Sequence, residues 1–377
     1  MITKLKSILG QNVNNIRGWK TNRKIIVIES DDWGSIRMPS KEVYNKLENF
    51  GIDVNKCSYC KFDALASETD LSLFFEVLKS HKTSSNKWPV VTANVIVANP
   101  NFKKIRESNF NEYSFELFTE TLCKYYKDNS SFDLWKKGIA DHIFHPQLHG
   151  REHLNIKLWM DYLREGSPET RFSFDLEMFG ISTNITKEKR KSYMAAFNFK
   201  EIEELENQKE ILKEAQNIFK NIFGFTSKSF IAPNYVWSSD IEETLKEIGI
   251  EYIQSAKYQI IPDGDEINSK YIRHYVGQKN RHDQIYLVRN CSFEPSINNS
   301  KTIVEDCLSQ IEAAFRWKKP AIISSHRLNY IGSIDEKNRT KNLEFLDELL
   351  DKIIKRWPNV EFMTSDELGD LIKNNYE

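Results

Sequence analysis

Short unbroken apolar runs alternate along this chain with longer stretches of helical spacing. Eight runs read as buried strands: 24–29 (KIIVIE), 90–97 (VVTANVIV), 141–148, 228–233 (KSFIAP), 251–255 (EYIQS), 284–290 (QIYLVRN), 320–325 (PAIISS) and 360–364 (VEFMT). Most lack the polar alternation of a strand with one wet face, so both faces need cover, as in a parallel sheet flanked by helices. Ser40 can cap a helix carrying Val43, Leu47 and Phe50 that stops at Gly51, and Asp70 can cap 71–80. A charged amphipathic helix is predicted over about 200–220, with others over 241–248, 303–317 and 341–356. Strands alternating with helices imply βα units with right-handed crossovers, and seven or eight of them imply a barrel more than an open sheet. No Gly-rich phosphate loop follows the first strand, which disfavours a dinucleotide fold.

Residues 155–200 break the rhythm: MFGISTNITKEKRKSYMAAFNF has weak periodicity and no clear strand. It reads as an insertion over one mouth of the barrel. Without repeats or Pro/Ser-rich linkers, residues 1–377 read as a single domain with its core over about 24–368. In the N-terminal segment, 1–20, Ile2, Leu5, Ile8, Leu9, Val13 and Ile16 recur at near-helical spacing beside Lys4, Lys6 and Arg17. A helix docked on its own domain is the expectation, and peripheral contact with a membrane surface the alternative.

Composition narrows the class. With 40% hydrophobic and 12% aromatic residues, the chain can build a large core. Its formal net charge of −1 argues against nucleic-acid binding by bulk electrostatics. Five scattered cysteines suit a reducing compartment; Cys57 and Cys60 form a lone C-x-x-C without a second pair, read as two ordinary thiols rather than a zinc or redox motif. No transmembrane run and no signal-peptide core are present, so a cytoplasmic location is expected.

The candidate chemistry starts at IIVIESDDWGS, residues 25–35, where an apolar strand ends in adjacent carboxylates. Burying such a pair is costly unless something compensates it, and a bound cation is one answer. Four of the eight histidines fall in DHIFHPQLHGREH, also at a strand end. His149 and His153 are four apart; on a helical turn they share a side, a spacing suited to chelation. In a parallel barrel the C-terminal strand ends face one mouth, so Asp32, His149 and His153 can converge on one cation with positions left open. Two imidazoles and a carboxylate suit zinc first; cobalt, nickel, manganese and iron accept the same ligands. His326, past the strand in PAIISSHRLNY, is placed to act as a general acid, and Asp31 as a general base.

Taken together, these residues resemble the NodB-homology polysaccharide deacetylases, carbohydrate esterase family 4. The motif T-F-D-D-G of that family corresponds to Glu29-Ser30-Asp31-Asp32-Trp33-Gly34, and H-[ST]-x-x-H to His149-Gly150-Arg151-Glu152-His153. R-x-P-Y corresponds to Ile231-Ala232-Pro233-Asn234 followed by Tyr235, and the last strand-histidine motif to IISSHR with His326. KRWPNVEFMTSDEL is similar to the family's terminal helix and strand. The resemblance implies an α/β fold, a distorted (β/α)7-type barrel, and a metal-dependent hydrolase removing an N- or O-acetyl group from a sugar or polysaccharide precursor. By position it implies Asp32, His149 and His153 as ligands, Asp31 as base, His326 as acid and a backbone N–H near Asn234 at the oxyanion. A cytoplasmic enzyme of this kind would meet a nucleotide- or lipid-linked sugar or a short oligosaccharide.

Departures accompany the likeness. Ile231 replaces the family arginine that pairs with the base, and Arg37 or Arg151 are the substitutes considered. Trp33 stands where the family has glycine, and Ser324 and Ser325 where it has apolar residues. No motif aspartate orients the histidine; Glu294 in VRNCSFEP is the candidate for that role. Trp33, Tyr235 and Trp237 are candidates for stacking on a sugar ring, and His142, His145, Gln147 and Arg151 for the mouth. Two alternatives stay open: a glycoside hydrolase using Asp31 with Glu294 or Asp335, and an inactive carbohydrate-binding relative.

Overall fold

The computed structural model describes residues 12–127, 130–264, 269–298 and 300–375. Nine parallel strands form the central sheet: β1 (Lys24–Trp33), β2 (Val91–Val95), β3 (Phe144–Leu148), β4 (Ser229–Ile231), β5 (Tyr252–Ser255), β6 (Ile285–Val288), β7 (Cys291–Ser292), β8 (Ala321–His326) and β9 (Val360–Phe362). Their order is β6-β5-β4-β3-β2-β1-β8-β7, with β9 beside the start of β1. β6 and β7 are successive parts of one segment. Arg289 N–H donates to Ser255 O at 2.9 Å on one side, and Asn290 N–H to Ile322 O at 3.1 Å on the other. That step closes the sheet into a ring of seven, the expected (β/α)7 architecture. The seam between β3 and β4 is weakest, with Leu148 and Phe230 the one registered pair. There the Gln147 side chain spans the gap, accepting from Ser229 N–H at 2.7 Å and Ser227 Oγ at 3.0 Å.

Alternation sorts each strand into a lumen face and a helix face. Ile25 and Val27 join Tyr252, Ile285, Leu287 and Ile322 in one buried cluster inside the barrel, while Ile26 and Ile28 belong to the outer core beneath the helices. The C-terminal helix Ser365–Asn374 adds Leu368 and Ile372 to the lumen cluster and closes the end opposite the strand C-termini. Its Gly369 is required: a Cβ there would lie 2.4 Å from the Tyr252 ring. Above the apolar plug the lumen turns polar at Glu29, Thr92, Asn94 and Gln254, all fully buried.

The predicted strands correspond to eight of the nine, β7 being too short to register as a separate apolar run. The stretch between β2 and β3 carries helices Phe118–Tyr126 and Ser130–Ala140, which the apolar pattern left unassigned. Ser67, not Asp70, is the N-cap of Glu68–Ser80; Asp70 completes its capping box from the third position. Two helices, Ile156–Arg164 and Pro168–Asp175, begin the inserted region, and its irregular part around 180–194 reaches the barrel mouth. The helix expected over 1–20 lies largely outside the described residues; within them, 12–14 form one helical turn. No described helix is long and apolar enough to cross a membrane.

Candidate metal centre

At the C-terminal rim, β1 does not end as a regular strand. Its pairing with β2 shifts register between Ser30 and Trp33, and Asp32 adopts φ +70°. A non-glycine residue held there is strained, a cost that clusters at functional sites. Gly34 follows at φ +85°, and a Cβ on it would meet the Ile96 carbonyl at 2.3 Å, so the turn demands glycine. The irregularity turns both adjacent carboxylates toward the mouth.

Asp32 Oδ1 lies 3.4 Å from His149 Nε2 and 3.3 Å from His153 Nε2, all three residues buried. Ligands at about 2.0–2.1 Å in a tetrahedral shell stand about 3.3 Å apart, which both carboxylate–imidazole distances match. His149 Nδ1 is bonded to the Ile231 carbonyl at 2.9 Å, which fixes that tautomer and leaves Nε2 as the donor atom. Asp32 Oδ2 accepts from Arg37 at 2.9 Å, so only one oxygen is available to an ion. Burial drives His153 down to about 3, keeping it neutral as a ligand must be. His149 and His153 do not sit on a helix. Residues 149–155 form an irregular loop, since Asn155 caps the helix beginning at Ile156 and Gly150 turns at φ +115°. The two rings nevertheless meet edge-on with centroids 5.0 Å apart.

Asp31 is the β-ladder partner of His326. Arg289, from the step between β6 and β7, grips it bidentately at 2.6 and 2.7 Å and gives its Nε to Glu29 at 2.6 Å. Burial pushes the Asp31 pKa up, but Arg289, with His326 and His149, outweighs it and holds the carboxyl at about 2. Asn94 adds a hydrogen bond at 2.7 Å. Across the recess, His326 Nε2 lies 3.7 Å from Asp31 Oδ2, while its Nδ1 is bound to Glu294 at 2.6 Å. Burial lowers the His326 pKa, yet Glu294 and the two aspartates raise it to about 9 overall. Asn329 holds the second Glu294 oxygen at 2.8 Å. Asp31, Asp32, Arg37, His149, His153 and His326 line a recess of about 240 Å³, whose walls also include Tyr59, Cys57, Gly180, Met194, Asn234 and Tyr235.

Several expectations need correction. Arg37 pairs with Asp32, not with Asp31, and Arg151 turns away to Glu152 and Glu214. Arg151 lines a separate cavity of about 980 Å³ on the barrel's outer side, between Ile156–Arg164 and Ile202–Phe223, where the described residues form no metal-capable cluster. Trp33 packs against Phe74, Trp135 and Phe144, and Trp237 against His274; each is 1% exposed and offers no stacking face. Tyr235 does reach the recess, its hydroxyl accepting from Arg289 at 2.9 Å, and Asn234 sits beside it at φ +56°. His145 bonds Asp366 on the C-terminal helix, away from the mouth, and Asp335 caps the helix Glu336–Arg356. Arg289 and Glu29 were not identified from sequence. The available signal was an arginine ending an otherwise apolar strand run, beside an unexplained glutamate inside another.

The sequence model of glycosyl hydrolase family 57 matches residues 185–291. No curated protein matches the chain. Solved structures of similar fold include peptidoglycan deacetylase PdaC from Bacillus subtilis, 10% identical at a TM-score of 0.41, covering 94% of each chain. A family 57-type branching enzyme from Pyrococcus horikoshii is 10% identical at a TM-score of 0.44, covering 93% of this chain and 70% of its own. A 4-alpha-glucanotransferase from Thermococcus litoralis is 12% identical at a TM-score of 0.44, over 92% of this chain but 40% of its own. At such identities the likeness concerns fold; the chemistry has to be argued from the recess itself.

Proposed function

We propose that the recess is a metal-dependent hydrolytic centre that removes an acetyl group from a sugar or sugar-polymer precursor. The observation that carries this reading is the donor set of Asp32, His149 and His153, spaced for one ion and flanked by an ionised carboxylate and a protonated imidazole. Zinc fits the ligand types best, with cobalt, nickel, manganese and iron next. When bound, such a cation polarises an acyl carbonyl and acidifies water, which is what a base as weak as Asp31 needs.

The chain's own residues supply the rest. Arg289 keeps Asp31 ionised and fixes the direction of its oxygens, so it receives the proton of the attacking water. Glu294 holds His326 Nδ1, leaving Nε2 facing Asp31 across the gap, where it gives its proton to the departing amine or alkoxide. Backbone near Asn234, on the recess wall, is the candidate partner of the oxyanion. A space of about 240 Å³ is smaller than the ~300 Å³ lower end of ordinary ligand pockets, which suits one terminal acylated group rather than a length of polymer.

The family 57 match supports a second reading, glycoside hydrolysis. That chemistry needs a carboxyl group with a raised pKa as acid. Asp31 is locked ionised by Arg289, and Glu294 is committed to His326 and Asn329, so neither is free for the role. The matched segment, 185–291, also excludes the three donor residues. Acetate release against reducing-end release from acetylated oligosaccharides separates the two readings. Bound-metal analysis separates the deacetylase reading from a binding protein without chemistry. A purified protein without a divalent ion, whose stability and turnover ignore chelation, would overturn the proposal.

A further inference from the structure

The C-x-x-C pair has a setting that its sequence did not suggest. Cys57 is half-buried and lines the recess; Cys60 lies just behind it, 2% exposed, its Sγ 3.9 Å from the Gly180 carbonyl. Cys57 precedes the short helix Ser58–Phe62 in an extended conformation, and Cys60 sits one turn further on. Side chains three apart on a turn have Cβ atoms about 5–6 Å apart, and a disulfide needs about 3.5–4.5 Å, a modest tightening. The neighbouring Cys60 thiol holds Cys57 down at about 6 against the opposing effect of burial, while Cys60 itself is pushed up. The other buried thiols, Cys291 and Cys307, are raised chiefly by burial, and neither lines the recess.

Between the pair, Tyr59 meets the His326 ring edge-on, with centroids 5.3 Å apart, and the Arg37 guanidinium lies over the Tyr59 ring, 5.2 Å from its centroid. The turn is tied to β1's continuation through Met38 N–H to Asp63 O at 2.9 Å. Any change in the turn therefore reaches the wall of the recess.

We propose that Cys57 and Cys60 form a second reactive site in this wall, a dithiol that a disulfide-class oxidant converts into an intrachain disulfide. The Cys57 thiolate attacks one sulfur of the oxidant; the oxidant's S–S bond breaks, one thiolate leaves, and a mixed disulfide forms on Cys57. Cys60 then attacks Cys57 Sγ, its proton passing to the second departing thiolate. Two protein thiols are oxidised and one external disulfide is reduced to two thiols, so atoms and electrons balance. Attack starts at Cys57 because Cys60 is covered. This chemistry stands independently of the reaction assigned to the metal cluster, and it is read without turnover.

The test uses the folded full-length chain, reduced and then exposed to oxidised glutathione, acid-quenched, alkylated and mapped by mass spectrometry. The expected result is loss of alkylation at Cys57 and Cys60 together, appearance of the linked peptide, and full reversal by dithiothreitol. In Cys60→Ser the glutathione adduct persists on Cys57; Cys60→Ala gives the same trap if the serine disturbs packing beside Gly180. In Cys57→Ser, Cys60 stays unmodified. Persistent alkylation of both residues in the wild type overturns the proposal, as does a stable wild-type Cys57 adduct that Cys60 fails to resolve.

Discussion

Replacing Arg289 with methionine keeps most of the side chain's length and removes its charge. In the native protein the guanidinium is 3% exposed and shared between Glu29 and Asp31, which are 0% and 5% exposed. The variant leaves two carboxylates facing each other in the lumen with no cation between them. Asp31 alone sits at about 2 against an ordinary 3.8, a difference worth about 2 kcal/mol at ~1.4 kcal/mol per tenfold. Adding the orphaned Glu29 brings the expected loss to about 3–5 kcal/mol at pH 7, the usual cost of breaking a buried pair. In a chain of this length that is a fall of about 4–6 °C in melting temperature, from ~2.1 cal/mol/K per residue.

The sign of the pH dependence identifies the cause. In the wild type the Asp31 pKa is depressed, so its contribution is complete above pH 3.8 and is lost as pH falls toward 2. In the variant Asp31 rises above its unfolded value and Glu29, already raised by burial in the wild type, rises further, so the folded state binds more protons and gains stability as pH falls from 7 to 5. Urea melts of both proteins across that range measure it: the difference between them should shrink by at least 1 kcal/mol, on the order of one pKa unit. A pH-independent difference below about 1 kcal/mol would refute the view that Arg289 compensates buried charge.

Glu294→Gln should lower the His326 pKa from about 9 toward its ordinary 6.5, moving the alkaline limb of the turnover profile down with it. An unmoved limb detaches Glu294 from the acid. Asp31→Asn should keep the metal and lose turnover by about 10²–10⁴-fold, the usual worth of a general base; near-native rates remove Asp31 from that role. Gly369→Ala should destabilise the barrel's closed end without altering metal binding, because its Cβ meets the Tyr252 ring. Wild-type thermal stability in that variant would show that the helix relocates freely.

Much of the frame was readable because it depends on local pattern. Short continuous apolar runs such as KIIVIE and PAIISS, too brief for ordinary helices, read as strands covered on both faces, and they supplied β1 and β8. Asp32 and His326 stood out because each lies at or just past the end of such a run, and His149 with His153 because they follow a strand at close spacing. What escaped depends on closure. Arg289 acquires its role only where one segment steps from β5 to β8, a relation between elements some thirty residues to either side. His149 and His153 were assigned a helical turn by spacing alone, whereas Gly150 and the Asn155 cap place them in a loop. Trp33 and Trp237 looked available beside the motifs, but large aromatics at strand ends fill core before they meet ligand. The place of Cys57 and Cys60 in the recess wall involves a distant insertion, which reaches Cys60 through Gly180 and which no local pattern connects to them.

The central claim is that Asp32, His149 and His153 hold one cation. Elemental analysis of the purified protein, paired with an anomalous-scattering map at the zinc edge, tests it most directly. The account predicts a single peak bonded to those three side chains, near one equivalent per chain, and none in His149→Ala. A zinc-loaded crystal with its peak elsewhere, or unchanged metal content in that variant, contradicts it.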